Sequence, residues 1–143
     1  MAVNYERPAF VPIDPKPVRG TRILEREEAA AKALKHEREQ KGIAKKRDVR
    51  CRWPEPHTCR GGDLESAHIV DASLGGEMSA ANLVTLCPWI HRRGPESIHG
   101  KQLKVECETD RGANGPLSFW RKGDDGEFYM VKRETAPGVI ERD

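Results

Sequence analysis

Two stretches decide how this chain folds: LESAHIVDASLGG at residues 64–76 and NLVTLCPWIH at residues 82–91. Leu64 to Val70 reads as a short strand, and Leu83 to Cys87 as a second, more apolar one. Pro88 stands where a helix prefers its first residue, because proline has a fixed φ and lacks the N–H that a first turn would leave unpaired. Gly75 and Gly76 punctuate the long loop between the strands, and Gly94-Pro95 stops the helix soon after it starts. The local order is strand, loop, strand, helix.

That order gives three polar residues a common destination. His68, Asn82 and His91 are spaced as H-x13-N-x8-H. The first ends one strand, the second enters the next, and the third lies one turn into the helix. Two antiparallel strands with a helix across them bring such a set within reach of one phosphate and one metal ion.

On these residues the chain resembles the HNH endonuclease family with its ββα-metal fold, from Cys51 to about Leu103; the later GPLSFW (115–120) is similar to the tail of some members. The resemblance implies hydrolysis of DNA phosphodiesters, with His68 as general base, Asn82 fixing the loop or orienting that histidine, and His91 binding a divalent metal (Mg2+, Mn2+, Ni2+ or Zn2+). The residue types suit the chemistry. An imidazole with an ordinary pKa of ~6.5 takes a proton from water near neutral pH, and one cation offsets charge on the phosphate and the departing 3′-oxygen. Members usually carry His, Asp or Glu just before the base as a second ligand, where this chain has Ala67. Asp71 and His99 are the two candidates to replace it.

Cys51, Cys59 and Cys87 form a second constellation. Many HNH proteins carry two CxxC pairs around a structural zinc. Here the first pair is stretched to C-x7-C, and Ile90 stands where the fourth cysteine is expected. With His57 the three thiols make a Cys3His tetrahedral set; the alternative is three small buried side chains. Cys107 falls in an expected strand, Leu103 to Glu108, and reads as packing.

Upstream, Thr21 to Arg47 is rich in Ala, Glu, Lys and Arg and reads as a helix, with Thr21 as N-cap and Gly42 as a possible end or kink. Its apolar residues, Ile23, Leu24, Ala31, Leu34 and Ile43, make only a thin stripe, so it belongs on a surface. Lys41 to Arg52 holds six basic residues against Asp48. They read either as cations at the negative end of the helix dipole or as an arm contacting DNA through Lys45, Lys46, Arg47, Arg50 and Arg52. Arg92 and Arg93 have the same two readings. Downstream, Pro116 to Arg121 and Glu127 to Arg133 flank Gly-Asp-Asp-Gly as a hairpin.

The expected organisation is a disordered proline-rich tail (1–20), a basic helix (21–48), an HNH nuclease domain with a C-terminal hairpin (49–134) and a flexible tail (135–143). The fold class is α+β. A net charge of +2 is too slight to imply DNA binding without knowing where the charge sits. MAVNYERPAF carries charges and a proline where a secretory signal needs an apolar run, and no stretch is apolar enough to span a bilayer. The protein is therefore expected in the cytoplasm of a bacterial or phage-infected cell. DNA is the expected partner. The rival readings are a zinc-ribbon-like DNA-binding module and a phage structural or packaging protein, both without cleavage.

Overall fold

The computed structural model of the chain describes residues 19–57, 59 and 63–142. Most of the expected proline-rich tail lies outside them. The fold is α+β, one N-terminal helix followed by two antiparallel sheets. By contacts the chain divides into two units, residues 1–35 and 36–143. Among the described residues no helix is long and apolar enough to cross a membrane.

Helix α1 runs Arg19–Asp48. Thr21 lies inside it, not at its cap, and Gly42 does not end it, since six further residues continue the helix. In the first unit Ile23, Leu24 and Leu34 are exposed, in keeping with the thin apolar stripe. In the second unit the last turns of α1 are anchored. Ala44 is fully buried. Gln40 Oε1 accepts from the Ala80 amide at 2.8 Å, and a ring nitrogen of His36 meets the Met78 carbonyl at 2.8 Å.

The helix stops at Asp48, followed by Val49 at φ 67°. A β-branched residue is strained in the left-handed region, which helix ends usually give to glycine or asparagine. What holds the turn is a buried cluster of charges beyond it. Arg52 bonds Glu134 through Nε (3.0 Å) and Nη2 (2.7 Å), Asp48 through Nη1 (3.0 Å), and the carbonyls of Ala113 (2.6 Å) and Gly115 (2.8 Å). Asp48 also accepts from Arg47 and from the Thr85 amide, and Arg47 reaches the carbonyls of Ala80 and Leu83. Arg47 and Arg52, expected in a DNA-contacting arm, are therefore structural. Burial demands that every donor of a guanidinium find an acceptor, and the fold supplies them.

Strands β1 (Glu65–His68) and β2 (Leu83–Leu86) pair antiparallel, with His68 opposite Leu83 and Ala67 opposite Val84. All of β2 is buried, including the Thr85 hydroxyl that interrupts its apolar residues. The helix expected after Pro88 is a single π turn, Trp89–Arg93, closed by the Gly94 amide on the Trp89 carbonyl (2.8 Å). Pro95 limits what can follow.

The second sheet orders β3 (Leu103–Cys107), β4 (Leu117–Lys122), β5 (Phe128–Ala136) and β6 (Val139–Ile140). The β4–β5 hairpin turns at Gly123–Gly126, as its turn residues indicate. The expected flexible tail is instead the end of β5 and all of β6, with Glu134 opposite Ile140. Leu86, Leu103, Val105, Leu117 and Phe119 join the two sheets in one core, where Trp53 meets Phe119 edge-on at 5.4 Å. Cys107 is exposed at the end of β3, not packed in the core.

Removing one partner of a buried, hydrogen-bonded ion pair leaves the other charge without compensation. Glu134→Ala is expected to lower unfolding free energy by about 3–5 kcal/mol in urea titrations, well beyond the effect of removing an exposed acid such as Glu106.

Candidate metal and active-site centre

Five elements converge on one cleft of about 460 Å³. Glu37 and Lys41, paired at 2.6 Å, come from α1, His68 and Ser66 from β1, Asp71 from the loop, His91 from the π turn, and His99 and Lys101 from the segment before β3. Backbone bonds from His99 N to the His91 carbonyl (3.0 Å) and from Ile98 N to the Ile90 carbonyl (2.9 Å) lock that segment to the π turn. The rings of His91 and His99 stand edge to face, 4.5 Å between centroids. Ser66 Oγ is buried without a protein partner among the described residues.

Asn82 holds the loop. Its Oδ1 accepts from the Val70 amide (2.9 Å), while Nδ2 donates to the carbonyls of Val70 and Glu77, each at 3.0 Å. Of the two roles considered for Asn82, these bonds are those of a loop clamp. The fit is close enough that a Cβ at Gly76 would overlap the Val70 carbonyl, so glycine is required there.

His91 is oriented by a residue that the motif did not single out. Its Nδ1 lies 2.8 Å from Glu65 Oε1, which leaves Nε2 as the free ring nitrogen. Arg92 holds the same carboxylate through Nε (2.9 Å) and Nη2 (2.6 Å). That contact, with a smaller one from His91, keeps the Glu65 carboxyl down at about 2. Burial pushes the His91 imidazole below its ordinary value, against the opposing pull of Glu65. Arg92 is thus tied to Glu65, whereas Lys45, Lys46, Arg50 and Arg93 are exposed.

Asp71 has a local task. Its Oδ1 accepts from the Ser73 amide (3.2 Å), capping the 3-10 turn Ala72–Leu74. Ala67 is 2% exposed and packs in the core on the opposite face of β1 from Ser66 and His68. A ligand introduced at position 67 would enter apolar surroundings.

The second centre is tighter. The ligand atoms of Cys51, His57, Cys59 and Cys87 all lie within 4.8 Å of one another, and among the described residues no other set of three or more metal-ligating side chains does so. Cys51 Sγ lies 3.5 Å from His57 Nε2. His57 Nδ1 lies 2.7 Å from the Glu55 carbonyl, which fixes the ring with Nε2 toward the thiols. Burial, aided by the neighbouring sulfurs of Cys87 and Cys59, pushes the Cys51 thiol up to about 12. Tetrahedral zinc at ~2.3 Å from sulfur places thiolates ~3.8 Å apart, within the span of this set. The cluster can hold a structural metal such as Zn2+.

No protein family, curated protein or solved structure that was compared matches the chain.

The purified chain is expected to carry one equivalent of Zn2+ by elemental analysis, lost in Cys59→Ser and on chelation, with a fall in melting temperature. A melting temperature indifferent to both would identify the cysteines as packing groups alone.

Proposed function

We propose that the chain is a divalent-metal-dependent endonuclease of the HNH type that hydrolyses DNA phosphodiesters, with β1, β2 and the π turn as its ββα-metal core. The observation that carries this reading is the cleft itself. His68, His91 and His99 come from separate elements onto one wall-to-wall surface, with Asn82 clamping the loop between the strands. A core histidine satisfied by packing needs no such company.

His68 takes a proton from water as the water oxygen bonds to phosphorus, and the 3′-oxygen leaves with the electron pair of the broken P–O bond. Glu65 orients His91 through Nδ1; His91, with His99 beside it, would hold the metal, while Asp71 already caps its own turn through Oδ1. The metal, when bound, supplies Lewis-acid stabilisation of phosphate and leaving-group charge. Lys101 adds a fixed cation at the cleft. The exposed Lys45, Lys46, Arg50 and Arg93 are suited to phosphates along the duplex.

A second reading is favoured by the Cys3His cluster: a zinc-stabilised DNA-binding module without cleavage. The two separate on supercoiled plasmid with Mg2+, Mn2+, Ni2+ or Zn2+. Cleavage that falls about 100- to 10,000-fold in His68→Ala, with DNA binding retained, supports the nuclease. In metal titrations His99→Ala is expected to raise the half-saturating concentration, and Asp71→Ala to leave it unchanged. Wild-type cleavage in His68→Ala, or none in any metal, would remove the nuclease reading.

A further inference from the structure

A second cavity, of about 290 Å³, opens directly beside the cleft, and His68 and Lys101 line both. It lies between the two sheets. Its walls include Ile98, Leu103 and Val105, with Phe128 at the start of β5. Ala67 is also in its wall, and its small side chain contributes to the room. Such a volume is at the small end of the ~300–1,000 Å³ of ligand pockets, suited to a single ring system.

The charge around this apolar space is one-sided. Lys101, Lys104 and Lys122 line it, and no acidic residue does. The Lys104 and Lys122 ammonium groups lie 4.7 and 5.9 Å from the Phe128 ring centroid. Lys104 also pairs with Glu106 at 3.0 Å, an exposed contact of the kind a phosphate displaces at little cost. Lys101 has no ion-pair partner among the described residues, and it is held at φ 61°, a conformation a lysine adopts only where its surroundings impose it. That backbone sets Lys101 where both cavities meet.

We infer that this pocket receives one unstacked base of a DNA strand, stacked on Phe128, while the adjoining phosphate enters the His68 cleft and the three lysines hold the backbone. The inference rests on the reading of that cleft as a phosphodiester site. An apolar slot with one aromatic wall and a cationic margin matches a nucleotide, which is a flat ring joined to an anion. Stacking tolerates any base, so the pocket selects strands with an accessible base more than a sequence. Duplex DNA must first release that base, at a cost smallest for single strands, gaps and mismatches.

The test compares binding, by fluorescence anisotropy, of a labelled 12-nucleotide single strand with the same backbone made abasic. The full chain in Ca2+ is used beside Phe128→Leu and Phe128→Trp. The intact strand is expected to bind about 5- to 100-fold more tightly than the abasic one, the range of one base-stacking contact. Phe128→Leu should abolish that preference, and Phe128→Trp should keep it. Equal binding of the two strands, a preference that survives in Phe128→Leu, or binding of neither strand overturns the inference. Plasmid cleavage is scored separately. Cleavage without base preference removes the pocket and spares the nuclease, whereas base preference without cleavage keeps the pocket as a DNA-base site and removes the nuclease.

Discussion

The guanidinium of Arg52 is the point from which this small fold is held. It is 6% exposed, yet it touches the end of α1 through Asp48, the turn before β4 through Ala113 and Gly115, and β5 through Glu134. Glu134 in turn accepts from the Leu117 and Gly138 amides, so one carboxylate serves β4 and the β5–β6 turn. A buried ion pair is seldom a large net source of stability, because desolvation offsets most of the Coulombic gain. Its effect is specificity of arrangement: few alternative packings satisfy so many donors and acceptors at once. The left-handed turn at Val49 is a strain this arrangement tolerates.

Asp48 carries the same constraint into the first sheet by accepting from the Thr85 amide in the middle of β2. Cys87, just past that strand, donates its amide to Cys51 Sγ at 3.3 Å. The stretch 48–53 thus fixes β2 and its end three times, through the Asp48 carboxylate, through the Arg52 amide on the Thr85 carbonyl (2.9 Å) and through the Cys51 sulfur. β2 carries β1, and β1 carries His68 and Glu65. A metal in the Cys3His cluster would reinforce a segment on which the cleft already depends, which suits a domain whose core is a few strands deep.

The cleft shows the division of labour common to sites built on small scaffolds. Rigid elements present the histidines, and neighbours fix their rotamers: Glu65 and Arg92 behind His91, and backbone bonds beneath His99. Asn82 works on the backbone, closing a loop of more than ten residues without touching the chemistry itself. The apolar pocket beside the cleft is walled by both sheets, by Ala67, Val84 and Leu86 from the first and by Leu103, Val105 and Phe128 from the second.

The sequence by itself determined the α+β class, the positions of the first five strands and the Gly-Asp-Asp-Gly hairpin, because alternation, turn residues and proline act within a few residues of where they stand. The sequence named Cys51, His57, Cys59 and Cys87 as one of two readings of these cysteines, and their ligand atoms within 4.8 Å of one another are what the structure added. Tertiary structure decided which charges are free. Arg47, Arg52 and Arg92 look like Lys45, Lys46 and Arg93 in the sequence, and besides the neighbouring Asp48 it is acids and carbonyls brought beside them from 27 to 82 residues away that make them structural. It decided that His99 stands against His91 and that Glu134 is buried against Arg52. These outcomes depend on partners distant in the chain and on desolvation, and neither leaves a mark in local residue pattern.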